Sequence, residues 1–251
     1  MEILKHFDKI DNKDIHVYRL KEDALTDFIH ELTDNFRLSY ISDEELEDIS
    51  SKNEMKKSEF LEQFVLPDKG NIKSGDFGEI LSFHTVIEHF RTKGIRLIGP
   101  YKWMWKDRNK AAQYSDALLF GNNGTNDLII TIESKMKATP SKEHRIQDAI
   151  NGAVDDKLTR MSNTLFWLQE KYARLGDVKN RKLAERYAYP SKYGSYDKVY
   201  KAIAIVDKDF EIQESNKEFT KGEDIIVLLF SINALKDAYE QTRQNIINSV
   251  D

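Results

Sequence analysis

The 251-residue chain has no cysteine, which excludes disulfides, thiolate zinc sites and cysteine nucleophiles and fits a reducing compartment. Long apolar runs are also missing. The longest, such as 225–230, fall far short of a bilayer span, and the opening MEILKHFDKIDNKD lacks the apolar core of a signal peptide. Both absences predict a cytoplasmic protein. There is no glycine-rich phosphate loop, no G-x-S-x-G elbow and no Walker lysine, so ATP and esterase chemistry have no support. The six histidines are scattered, and His84 with Glu88, four apart, reads as a core edge rather than a metal pair. What remains is 40% hydrophobic and 32% charged, enough apolar material for one sizeable core.

The net charge of −5 hides an asymmetry. Residues 1–70 carry 18 acidic and 10 basic side chains, whereas 71–251 carry 25 and 28. An acidic leading segment thus precedes a mildly basic body, with 69–71 (Lys-Gly-Asn) as the expected boundary. The leading segment reads as a short strand at 15–20, a helix over 22–35, and acidic helices over 43–50 and 55–65. Its acidic stretch could dock a basic partner surface or fold over a site in the body.

In the body, Phe77, Ile80, Leu81, His84, Ile87 and Phe90 recur at helical spacing over 74–92, with Glu79 off that stripe. A short apolar run at 95–98, a strand over 114–120, a loop at 121–127 and a returning strand over 128–136 follow. A long helical pattern covers 143–175, broken near Gly152, with Leu158, Met161, Leu165 and Leu168 on one side. Continuous apolar runs at 202–206 and 225–230 read as buried central strands, and 234–249 as a closing helix. The sum is α/β or α+β with one mixed sheet.

The chemistry concentrates on two neighbouring strands. Side chains alternate along a strand, so Glu133, Lys135 and Lys137 share one face of 128–137, at the end of an otherwise apolar run. If 121–127 is a hairpin loop, Asp116 on the preceding strand sits at the same open end as Glu133. Two converging carboxylates repel unless a cation lies between them, and hard oxygen donors suit Mg²⁺ or Mn²⁺. Such a pair beside a lysine suits phosphodiester cleavage. Two stretches interleave cations with aromatics, as a nucleic-acid surface would. One is 101–110, with Lys102, Lys106, Arg108 and Lys110 among Tyr101, Trp103 and Trp105, and Lys137 at the end of its strand is expected to join them on nucleic acid. The other is 171–201, with 9 basic and 3 acidic side chains and six tyrosines.

Asp116, a hairpin, then Glu133-Ser134-Lys135 resembles the D…(D/E)xK signature of the PD-(D/E)xK nuclease superfamily, with Ser115 where that superfamily's name has proline. The resemblance implies a restriction-endonuclease-like α/β core, a mixed central sheet flanked by helices, preceded by the acidic N-terminal extension. It implies that Glu79, Asp116 and Glu133 bind metal and that Lys135 is the catalytic lysine. GDFGEIL, KDRNKAAQYSDALLF and ESK followed by a long helix are also similar to the HamA family, nuclease-like subunits of the Hachiman antiphage defence system. That likeness implies DNA cleavage beside a helicase partner, HamB. The rivals are a nuclease fold retained only to bind DNA or a partner, and an RNase toxin.

Overall fold

A computed structural model describes residues 2–12, 14–111, 114–140 and 142–251. In chain order the elements are β1 (Phe7–Asn12), β2 (Ile15–Leu20), α1 (Leu25–Tyr40), α2 (Asp43–Asn53), α3 (Lys57–Phe60) and α4 (Gly70–Arg91). Then come β3 (Ala117–Asn122), β4 (Asp127–Lys137), α5 (Arg145–Asp155), α6 (Met161–Arg174), α7 (Val178–Ala188) and α8 (Pro190–Tyr193). The chain closes with β5 (Asp197–Asp207), α9 (Lys208–Ser215), β6 (Ile225–Ile232) and α10 (Leu235–Asn248).

The strands form one mixed sheet in the order β1-β2-β6-β5-β4-β3. The four central strands run parallel, and an antiparallel hairpin partner closes each edge. A parallel sheet must be covered on both faces, which is why β5 and β6 read as continuous apolar runs. Alternation divides their side chains between two cores. Ile130, Ile132, Ile203, Ile205 and Phe230 pack with α1, α4 and α10. Ile129, Ala202, Ala204 and Leu229 pack with α5, α6 and α7.

Three expectations need correction. Residues 1–70 are mostly helical, as expected, but not a separate extension: β2 pairs with β6, and Tyr18 stacks on Phe230 at 4.9 Å. The expected break at 69–71 instead holds the start of α4, so one core crosses the boundary. The apolar run at 95–98, with the spelling of a further strand, forms among the described residues only a single bridge, Ile98 to Phe120, with Gly99 and Pro100 following at once. Leu158 is 71% exposed rather than in line with Met161, Leu165 and Leu168. A widened π-type turn over Asp156–Arg160 joins α5 to α6 and shifts the helical phase there.

Candidate active site

Strand β4 carries the site at its C-terminal half, the end of a parallel sheet where ligands usually bind. In the hairpin register Ala117 faces Ile132, so Asp116 stands next to Glu133 across the strands. The Ser134 amide donates to Asp116 Oδ2 at 2.8 Å. Lys135 Nζ donates to Glu133 Oε1 at 2.5 Å and stands 3.9 Å from Asp116 Oδ2. The two carboxylates therefore lie on the same side of the sheet, with one ammonium serving both.

Glu133 is 2% exposed, and its second oxygen accepts from Arg160 Nη1 at 2.6 Å. Arg160 comes from the widened turn, where it also holds Asp155 at 3.0 Å and approaches Asp156 at 3.6 Å. Helix α5 crosses closely above. A methyl group on Gly152 would overlap the Glu133 carboxyl, so glycine is the only residue that fits there without displacement. Ser115, wholly buried, holds the backbone just before Asp116: its amide donates to Thr164 Oγ1 at 3.2 Å and its hydroxyl to Asp156 Oδ1 at 2.7 Å. Its carbonyl accepts from the buried Lys102 ammonium.

Glu79 arrives from the other layer. Helix α4 packs on the opposite face of β4, where Gly78 meets Ser134 and Met136, and the Trp103 indole N–H donates to Glu79 Oε2 at 3.0 Å. The negative charges sense one another. Burial, then repulsion from Asp116, pushes Glu133 up to about 7 against the pull of Lys135 and Arg160. The same two causes raise Glu79 well above the carboxylate range. Burial lifts Asp156 to about 6. Burial works against the charge on Lys135, but Asp116 and Glu133 outweigh it and hold its pKa above the ordinary value.

The donor chemistry fits a divalent cation, being hard carboxylate oxygens whose mutual repulsion Lys135 and Arg160 offset only in part. Among the described residues, however, no three acidic or imidazole donors are grouped to hold one. Asp116 and Glu133 are the pair that converge, while Glu79 is tied to Trp103 from the far layer.

The residues expected to meet nucleic acid mostly turn inward. Lys102 is 2% exposed, and Lys137 is buried, 3.6 Å from Glu214 and over the Phe210 ring at 5.2 Å. Lys106 pairs with the buried Asp76 at 2.7 Å. Arg108 ties down the Leu66 carbonyl at 3.0 Å and Asp68 at 3.1 Å. Lys110 is exposed but pairs with Asp107. Trp103 belongs to the core. In the second stretch Tyr172, Tyr187 and Tyr200 are buried, whereas Tyr189 and Tyr193 are exposed. His84 is a core edge as expected: burial lowers it to about 4, and its Nε2 lies 3.0 Å from Ser39 Oγ. Sequence reasoning missed Arg160, Asp156, Ser115 and the function of Gly152.

A mixed six-stranded α/β protein with a carboxylate–lysine cluster at the open end of a central strand is the class that fold and site define. The chain belongs to the HamA family, whose sequence profile matches residues 2–246. That membership points to a component of the Hachiman defence system. No curated protein matches the sequence. Among the described residues no helix is long and apolar enough to cross a membrane.

Proposed function

We propose that this chain is a metal-dependent nuclease that cleaves DNA phosphodiester bonds as the effector of the defence system. The observation that carries the reading is Lys135, whose ammonium lies 2.5 Å from Glu133 and 3.9 Å from Asp116 at the end of β4. Asp116 and Glu133, with Glu79 as a third candidate, are the residues that would hold Mg²⁺ or Mn²⁺. When bound, the cation supplies Lewis-acid stabilisation of the phosphoryl charge and acidifies a water. Lys135 orients the attacking water and offsets the negative charge gained in the transition state. Arg160 and Gly152 fix where the Glu133 carboxylate stands. A helicase partner of the HamB kind is proposed on family membership alone, with the exposed acidic face of α2 available to a basic surface.

The test is DNA cleavage by purified protein with Mg²⁺ or Mn²⁺. Glu133→Gln and Lys135→Ala should each lower the rate by about 10²–10⁴-fold, the usual worth of a group acting on the reacting proton or charge. Unchanged cleavage in both variants would defeat the assignment. A second reading, a non-cleaving module of the same fold, has one observation in its favour: both oxygens of Glu133 are already engaged, by Lys135 and Arg160. Wild type that binds DNA yet never cleaves it, alone or with its partner, would establish that reading. Preference for RNA substrates would indicate an RNase instead.

A further inference from the structure

A cleft of about 280 Å³ opens beside the acidic cluster, between the segment before β3 and helix α6. Its aromatic wall is Trp105 and Trp167, half-buried, with ring centroids 5.8 Å apart and planes at 59°. Tyr114 continues the row, its ring 6.1 Å from Trp167 and 41% exposed. Tyr114 holds φ at +66°, the left-handed region that a bulky residue rarely adopts, and it lies two residues before Asp116. Trp105 and Trp167 pack partly against the core beneath α5, α6 and α7, with Tyr172 edge-on to Trp105 at 5.6 Å, and line the cleft with what remains exposed, while Tyr114 stands exposed at its strained position.

The charge around them is positive. Lys110, Lys171 and Arg174 stand at the cleft, and among the described residues Asp107 is the one carboxylate lining it. Lys110 is matched by Asp107 and Arg174 is only 3.8 Å from the exposed Glu170, while Lys171 makes no ion pair among the described residues and lies over the Trp105 ring at 5.5 Å. Lys102 joins cleft to site. It lines the cleft, and its ammonium, bonded to the Ser115 carbonyl just before Asp116, feels the charges of Glu79, Asp116, Asp156 and Glu133.

We infer that the row Trp105, Trp167 and Tyr114 is a stacking platform for unpaired bases of a DNA single strand, with Lys171 and Arg174 on its phosphates, leading that strand to Asp116 and Glu133. The inference rests on the nuclease reading for the strand's destination, but not for its binding. Aromatic faces bind bases only where these are unstacked, and cations along the same groove take the backbone. A duplex presents neither an accessible base face nor a strand thin enough for this cleft.

Binding is therefore measured without cleavage, on the full chain in EDTA, by fluorescence anisotropy and tryptophan quenching with a labelled 12-mer of dT. A hairpin duplex and a 12-mer of U serve as comparisons. The single strand should bind tighter than the duplex and quench tryptophan emission. Trp167→Ala and Trp105→Ala should each weaken dT binding about 10-fold. Lys171→Glu with Arg174→Glu should weaken it too and flatten its salt dependence. Should a tryptophan variant fail to fold, Tyr114→Ala and the charge reversals at the cleft mouth still decide the matter. Equal affinity for duplex and single strand, or dT affinity unchanged in Trp167→Ala and Tyr114→Ala, would overturn the platform. U bound much more tightly than dT would overturn it as a DNA site. Cleavage that fails in Mg²⁺ while these binding results hold removes only the nuclease reading; robust cleavage with unaltered binding in the variants removes only the platform.

Discussion

Glu133 illustrates how much of a site can depend on what is absent from a neighbour. Its carboxyl lies under Gly152 of α5, where any side chain would occupy the same volume. Gly152→Ala should therefore displace the Glu133 carboxyl rather than merely stiffen the helix. Alanine normally favours a helix by about 1 kcal/mol over glycine, so stability should change little or fall by about 1–3 kcal/mol from overpacking. DNA cleavage should drop at least ~10²-fold, since a displacement of 1 Å can cost that much; a variant that cleaves like wild type would show that Glu133 has room to move. Elsewhere a single buried charge costs stability without serving the site. Lys201 is 5% exposed, 5.8 Å from the Phe90 ring, and burial followed by repulsion from Lys93 lowers its pKa from 10.5 to about 8. Between those two values the unfolded chain keeps a proton that the native state has released, so stability rises with pH there, and below about 8 the full cost is felt. Lys201→Met should accordingly raise Tm at pH 7 by several degrees, on the order of 3 kcal/mol, and the gap should narrow in melts between pH 8 and 10.5. A gap that stays constant over that interval would mean that Lys201 is charged in the folded state throughout.

At the scale of elements, the widened turn between α5 and α6 is where helix geometry and chemistry meet. It adds a residue to one turn, exposes Leu158, and directs Arg160 at Glu133 and Asp156. Such turns are often found at functional positions. Deleting Leu158 should restore a regular helix and leave Met161, Leu165 and Leu168 in the core. The expected result is helical content and Tm close to wild type with DNA cleavage reduced by ~10²-fold or more; loss of the fold instead would mean that the turn is needed for packing. The turn also marks the limit of what the sequence discloses. Strands β4, β5 and β6 are legible because parallel strands covered on both faces need unbroken apolar runs, and α4 because its apolar stripe repeats at 3.6. Asp116, Glu133 and Lys135 are legible because strand alternation and a hairpin register fix which side chains meet. Arg160 is not, since its approach depends on a phase shift that no residue type signals. The inward turn of Lys102 and Lys106 is equally silent: a lysine facing buried Asp76 or the Ser115 carbonyl has the same spelling as one facing solvent.

For the whole molecule, charge divides the chain at about residue 70 but packing does not. The acidic leading segment supplies β1 and β2, and β2 pairs with β6 from His16–Leu228 to Arg19–Ser231. Ile3, Phe7, Tyr18, Leu20, Phe28 and Leu32 share a core with Phe230, Leu235 and Ile246. Phe7 packs edge-on to both Phe28 and Phe230, at 5.4 and 5.3 Å, so the interface is an interior surface rather than a dock between two domains. Removing residues 1–69 would expose the β6 edge and the α10 face together. Each large side chain stripped of its cover forfeits about 1.5–3 kcal/mol, and a domain has only about 5–15 kcal/mol to lose. The shortened chain should therefore show no cooperative thermal transition, bind an apolar dye, and associate through its bare sheet edge. A sharp melting transition with the circular dichroism of residues 70–251 intact would instead make the charge boundary a domain boundary, and would free the acidic segment to act as a detachable cover for the site.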